Sequence, residues 1–169
     1  MTEPLMIEID SPLGVLRLHA RADQLTGVYL PVQPAPAARP GRARVLELAA
    51  AQLAEYFAGD RTEFTIPLNA TGTSFQRKVW DALVAIPYGA TRSYGELAHG
   101  LGRPSGGRAV GAANGKNPIS IIVPCHRVIA ASGELTGYAG GIPAKQWLLA
   151  HERASASGTA ARRDDQLRA

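Results

Sequence analysis

Hydrophobic and polar positions divide the chain into two stretches of different style. Met6-Ile7-Glu8-Ile9, Val15-Leu16-Arg17-Leu18 and Val28-Tyr29-Leu30 are short apolar or alternating runs, the first two separated by the turn signal Ser11-Pro12-Leu13-Gly14. They predict strands. Pro31 to Gly41 holds four prolines and three alanines and predicts a loop. Over residues 42–58, Val45, Leu48, Ala49, Leu53, Tyr56 and Phe57 fall on roughly one face, which predicts a helix stopped by Gly59. Glu63 to Leu68 reads as a return to strand. This half looks like a small α+β domain, and its His19 sits in an alternating segment with no evident chemical partner.

From about residue 73 the period changes. Thr73-Ser74-Phe75-Gln76 has the form of a capping box, and Phe75, Val79, Ala82, Leu83 and Ile86 follow at helical spacing until Pro87-Tyr88-Gly89. Ser93-Tyr94-Gly95-Glu96 is a second capping box, opening a short helix with Leu97, Ala98 and Leu101 that Gly102 and Pro104 stop. A third helix is predicted from about Ser105 to Asn114. Two short helices around a tight Gly/Pro turn form a helix-turn-helix pattern. The second of them is nearly all small residues with one long cation, Arg108. Such a helix packs closely either on nucleic acid or on the protein's own core. Asn114-Gly115 and Asn117-Pro118 signal turns, Ile119 to Val123 predicts a buried strand, and Ser132-Gly133 and Gly137 to Gly141 predict loops. Pro143 opens a last helix through about Arg153, and the small, polar residues 154–169 predict a flexible tail. The expected organisation is therefore a domain over 1–68, a second over 73–153, and the tail.

Composition narrows the class. A hydrophobic fraction of 46% and a charged fraction of 19% suit a chain with a packed core. No apolar run is long enough to span a bilayer, and the first ten residues carry acids where a secretory signal has bases, so the expected location is the cytoplasm. Charge is uneven. Residues 1–71 carry six basic and eight acidic groups, whereas residues 72–152 carry eight basic and four acidic. The basic half either meets a polyanion or is an ordinary solvated surface.

A single cysteine excludes an internal disulfide and a cysteine-rich zinc site. Cys125 is then either a small buried residue or a reactive thiol. It follows an apolar run in Pro124-Cys125-His126-Arg127-Val128, at an expected strand end. In extended chain, neighbouring side chains point to opposite faces, so a Cys125–His126 relay requires a turn or a bridging water. A base such as His126 or a cation such as Arg127 would raise the thiolate fraction. On the last helix, Leu148, Leu149 and Glu152 share a stripe that places a carboxylate at a buried edge. Its partner is His126, completing a Cys–His–Glu triad, or Arg127 in a structural ion pair, unless it is simply exposed. His99 and His151 belong to no spaced ligand set and read as surface or structural; no metal site is expected.

Residues 73–152 resemble the C-terminal domain of the O6-alkylguanine-DNA alkyltransferases, also called methylated-DNA–protein-cysteine methyltransferases. The resemblance is carried in order by Ile86-Pro87-Tyr88-Gly89, Ser93-Tyr94-Gly95-Glu96, Arg108-Ala109-Val110-Gly111, Asn117-Pro118, Pro124 to Val128, Gly137 to Gly141 and Leu148 to Glu152. The first half is similar only in style to the family's ribonuclease-H-like domain. The implied fold is α+β: a small ribonuclease-H-like α/β domain, then a mostly helical domain with a winged-helix-like helix-turn-helix.

The implied function is direct-reversal repair, in which an alkyl group on O6 of guanine, or O4 of thymine, passes once and irreversibly to Cys125 after base flipping. The resemblance makes Cys125 the acceptor, His126 a base acting through water, Glu152 its holder, and Asn117 a brace for the neighbouring turn. Tyr94 swings the nucleotide out, and Arg108 fills the gap in the stack. Ser93, Ala109, Gly111, Ala112 and Gly115 complete the implied DNA-contacting set. Val128, Tyr138, Ala139, Gly140 and Asn114 line the implied base pocket. No cofactor is implied, and the implied partner is double-stranded DNA met by a monomer, with cooperative assembly on DNA left open. Ala139 stands where many relatives carry Ser, and the cysteine-rich zinc domain of the adaptive-response members is missing. Rival readings are a base-flipping binding module, which lacks the acceptor cysteine, a cysteine hydrolase, and a plain helix-turn-helix binder.

Overall fold

A computed structural model describes residues 3–157 in full and the backbone of the terminal helix through 168. The N-terminal part is a four-stranded sheet in the order β3-β2-β1-β4, built from β1 (Leu5–Ile9), β2 (Leu16–Arg21), β3 (Gln24–Tyr29) and β4 (Arg39–Pro40). β1, β2 and β3 pair antiparallel, and β4 joins β1 in parallel. Ala22 and Asp23 both take positive φ in the β2–β3 turn, which suits the right-handed twist of a hairpin. Leu16, Leu18, Leu25 and Val28 are buried beneath helix α1 (Arg44–Phe57). Ala43 has no side chain to cap α1, and Asp23 Oδ1 accepts from Val45 N in its place.

The α1 face differs from expectation at one position. Leu46 is fully buried and Leu48 is 38% exposed. The segment expected as a strand over Glu63 to Leu68 alternates in burial but forms only an isolated bridge, Leu25↔Leu68. Pro67 has no N–H to donate, and its carbonyl accepts from Leu25 N.

The second part is helical: α2 (Ser74–Val84), α3 (Tyr94–Gly100), α4 (Gly107–Gly115) and α5 (Ile142–Arg168). Both predicted capping boxes form, Thr73 with Gln76 and Ser93 with Glu96. α3 and α4 make the helix-turn-helix, and Trp80 Nε1 of α2 donates to Ala113 O of α4 at 2.9 Å. Two short parallel strands, β5 (Arg92–Ser93) and β6 (Val128–Ile129), tie the start of α3 to the segment after Cys125. This α+β architecture, a sheet domain followed by a helical one, is the expected fold class.

The predicted strand Ile119 to Val123 is instead a buried turn. Ile119 bridges Val28 in the sheet domain, and Ile121 takes φ +73. That conformation is uncommon for a β-branched residue and ends any strand. Burial of the Ile121 side chain holds it there. Helix α5 also continues past Arg153. Residues 154–157, expected in the tail, are helical, with Ser155 beside Gly59 and Ala156 beside Gly89. The rest of the expected tail lies outside the fully described residues.

Replacing Thr73 or Ser93 by Ala removes one capping acceptor. Each change should cost about 1 kcal/mol, or about 2–4 °C in Tm by thermal melting. An unchanged Tm in both would show that the boxes carry no stability.

Candidate active site

Cys125, His126 and Arg127 form one turn of 3-10 helix, η1 (Cys125–Arg127), rather than the expected extended strand end. The turn arises because Val123 and Pro124 carbonyls accept from Cys125 N and Arg127 N. Asn117 braces the preceding loop: its Nδ2 donates to Val123 O at 2.9 Å and its Oδ1 accepts from Ile119 N at 3.0 Å. Asn114 reaches the same turn, its Nδ2 donating to Cys125 O at 3.4 Å.

Glu152, 1% exposed on α5, is the hub beneath this turn. Its Oε2 lies 2.6 Å from His126 Nε2, and its Oε1 accepts from Arg127 Nε at 2.8 Å. The triad and the ion pair, posed as alternatives from sequence, therefore coexist. Oε2 also accepts from Tyr56 Oη at 2.6 Å and from Arg127 Nη2 at 3.1 Å, and Gly89 N donates to Oε1 at 3.3 Å. Burial opposes ionisation, but His126 and Arg127 outweigh it and hold the Glu152 carboxyl far below the usual carboxylate range. An ionised Glu152 fixes the His126 proton on Nε2 and leaves Nδ1 as an acceptor. That Nδ1 is buried and has no partner among the described residues. Burial lowers the His126 pKa against the pull of Glu152, so the ring is neutral at rest.

The thiol itself is 3% exposed. Burial pushes its pKa up, opposed by the Asn117 amide, the Lys145 ammonium and the Tyr138 hydroxyl. Arg127, expected to favour the thiolate, is committed to Glu152 and to Ile86 O. The cation acting on Cys125 is Lys145, which sequence reading passed over. It is fully buried, and its Nζ donates to Val128 O at 2.6 Å and to the carbonyls of Gly137 and Thr136 at 3.3 and 3.4 Å. The signal was present, because 145 lies seven residues before Glu152 on the stripe of Leu148 and Leu149. Tyr138 Oη sits beside the thiol and Ser120 without closing a hydrogen bond of standard geometry.

A cavity of about 200 Å³ opens beside the turn, lined by Tyr94, Gly111, Asn114, Gly115, Gly137, Tyr138 and Ala139. Three of the five residues named for the base pocket, Asn114, Tyr138 and Ala139, meet here, together with Tyr94. Gly140 does not; it packs against Leu30. Val128 is buried under the Lys145 bond, outside the lining. Tyr94 Oη donates to Thr136 O at 3.1 Å, and its ring lies over Gly111. α4 has two faces. Val110, Ala113 and Asn114 are buried, whereas Arg108, Ala109, Ala112 and Gly115 are exposed together. The small residues thus serve both the core and an outward surface. The Ser93 hydroxyl accepts from Glu96 N as the α3 cap. His99 is exposed, and His151 Nε2 bonds the Tyr56 carbonyl at 2.7 Å, a structural role. No cluster of metal-ligating side chains occurs among the described residues.

His126 and His19 are both held below the usual histidine pKa, chiefly by burial. The unfolded chain binds these protons near pH 6.5 and the folded chain does not. Stability present above about pH 6.5 is therefore lost as pH falls through the folded values. Urea midpoints should drop between about pH 7 and 5, and less steeply in His126→Asn. Equal slopes in the two proteins would remove His126 as a source.

Two family domains match the chain. The 6-O-methylguanine DNA methyltransferase DNA binding domain covers residues 74–154, and the ribonuclease-like domain of the same family covers residues 6–70. A methylated-DNA–protein-cysteine methyltransferase of Mycolicibacterium paratuberculosis is 54% identical over 148 residues, 86% of this chain and 90% of that protein. The Mycobacterium tuberculosis protein of the same name is 51% identical over 158 residues, with coverage of 88% and 92%. The crystal structure of Mycobacterium tuberculosis OGT in complex with DNA superposes with a TM-score of 0.85 at 50% identity, covering 89% of this chain and 94% of that one.

Proposed function

The chain belongs to the 6-O-methylguanine DNA methyltransferase family, and we propose that its Cys125 is the alkyl acceptor. The activity is that of a methylated-DNA–protein-cysteine methyltransferase: direct reversal of DNA alkylation by transfer of the alkyl group to protein. The observation that carries the residue assignment is the chain Glu152–His126, which ends in an Nδ1 without a partner among the described residues, on the turn that bears the chain's one thiol.

A water between Nδ1 and Cys125 passes the thiol proton to His126, and Glu152 stabilises the imidazolium that results. The thiolate sulfur then attacks the alkyl carbon on guanine O6. The S–C bond forms, the O–C bond breaks, and its electron pair leaves with guanine, which takes up a proton. The product is a thioether, so each molecule reacts once, and the displacement needs no cofactor.

An alkylated O6 lies inside a duplex, so the nucleotide must be turned out to reach a buried thiol. The cavity beside Cys125 receives it, with Tyr94, Asn114, Tyr138 and Ala139 as walls. Arg108, exposed on the small-residue face of α4, enters the vacated stack, while Ala109, Ala112 and Gly115 allow close approach. Tyr94, whose ring lies over Gly111, stands where the nucleotide passes. The partner is duplex DNA carrying O6-alkylguanine. Residues 73–153 carry the chemistry and 1–68 support it. We place the reaction in the cytoplasm, where a lone free thiol stays reduced.

The test is to incubate the protein with duplex DNA containing O6-methylguanine and to weigh the peptide bearing Cys125. One methyl group per protein molecule is expected. No gain at that peptide, or repair of a large molar excess of DNA, would sink the assignment.

A second prediction concerns Arg108→Ala. If the finger offsets about 1.4 kcal/mol of flipping, single-turnover repair of duplex should slow about tenfold. Reaction with free O6-benzylguanine should change little. Equal slowing of both would remove the finger role.

A further inference from the structure

Tyr56 stands in helix α1, in the half of the chain whose sequence offered no chemistry. Its side chain is fully buried, and its hydroxyl donates to Glu152 Oε2 at 2.6 Å, across 96 positions of sequence. The same oxygen lies 2.6 Å from His126 Nε2 and 3.1 Å from Arg127 Nη2. One carboxylate oxygen has about two lone-pair directions. Three donors on Oε2 therefore compete, and Tyr56 is the one that never takes a positive charge.

The ring has little freedom. It meets Phe64 at 5.6 Å, Tyr88 at 6.1 Å and His151 at 5.3 Å between centroids, and the Tyr56 carbonyl is bound by His151 Nε2. The hydroxyl is also a permanent donor: burial and the Glu152 charge push its pKa far above the ordinary phenol value. The charged and titratable groups around Glu152 and His126 are thus Tyr56 from α1, Tyr88 from the loop after α2, His126 and Arg127 from η1, Tyr138 from the loop before α5, and Lys145 and His151 from α5.

We propose that Tyr56 is a positioning residue of the reaction site, its hydroxyl restraining Glu152 Oε2 and so setting how strongly that oxygen draws a proton onto His126. This rests on the reading of Cys125, His126 and Glu152 as one proton relay. A phenol bond to Oε2 takes up part of the carboxylate's basicity. Without it, Glu152 stabilises imidazolium more strongly, and His126 becomes protonated at higher pH. A protonated His126 cannot accept the thiol proton, so the relay stops at higher pH too. The N-terminal domain thereby keeps the base available near neutrality, a role beyond support.

The experiment replaces Tyr56 by Phe, which keeps every ring contact and deletes only the hydroxyl. Nitrogen-15 NMR of the His126 ring reads its titration directly, and single-turnover methyl transfer from duplex DNA gives a pH–rate profile. In Y56F the His126 titration should rise by about 0.5–1 pH unit. The acid limb of the rate profile should rise with it, while the plateau at high pH is retained. Incorporating 3-fluorotyrosine at position 56 makes a stronger donor in the same space and should move both quantities downward, which keeps the test decisive if the Phe variant folds poorly. A His126 titration unmoved by either replacement, or a loss of rate equal at every pH, would overturn the proposal. If the unaltered protein gains no methyl at Cys125, the relay reading fails, while the NMR titration still decides whether Tyr56 governs His126.

Discussion

Glu152 carries a negative charge into the interior, and an ionised carboxylate there must be matched by donors or it destabilises the fold by several kcal/mol. The match is made by three parts of the chain at once: Tyr56 from α1, Gly89 after α2, and His126 and Arg127 from the 3-10 turn. None of these groups is near another donor set in sequence. The two halves of the molecule are therefore joined at a point where a misplaced helix would leave a bare charge. The same bonds that fix the fold fix the imidazole.

The thiol is governed by the opposite balance. Around Glu152 the donors win over burial, but around Cys125 burial wins over Asn117, Lys145 and Tyr138. A thiol held protonated is slow to oxidise or to react with stray electrophiles, because the thiolate is the nucleophile. His126 on the same turn stays neutral, with an Nδ1 that has no partner among the described residues. Lys145 ties the surroundings of the thiol to the cavity wall, since the carbonyls it binds belong to β6 and to the 136–137 loop.

Much of the fold was legible because local rules act over a few residues. The capping boxes at Thr73 and Ser93, the periods of α2 and α5 and the stop at Gly59 need only their own neighbours. The errors share a cause. Ile119 to Val123 is β-branched and apolar, which favours strand, but Asn117 bonds and the buried Ile121 at positive φ bend it into a turn. Glu63 to Leu68 alternates like a strand but has one bridge and a proline. Leu48 and Leu46 exchanged sides because the sheet, and not the helix period, sets which face of α1 is covered.

By itself the sequence determined the single thiol, the basic second half, the helix pair carrying Arg108, and a carboxylate on the buried stripe of the last helix. Those follow from composition and short periods, which no later packing can alter. Tertiary structure alone decided the company each group keeps. It put His126 and Arg127 on one carboxylate, replaced Arg127 by Lys145 as the cation near the thiol, and brought Tyr56 to Glu152 from 96 residues away. Contacts of that separation depend on how α1, the sheet and α5 pack, and their geometry has no trace in the spacing of residues along the chain.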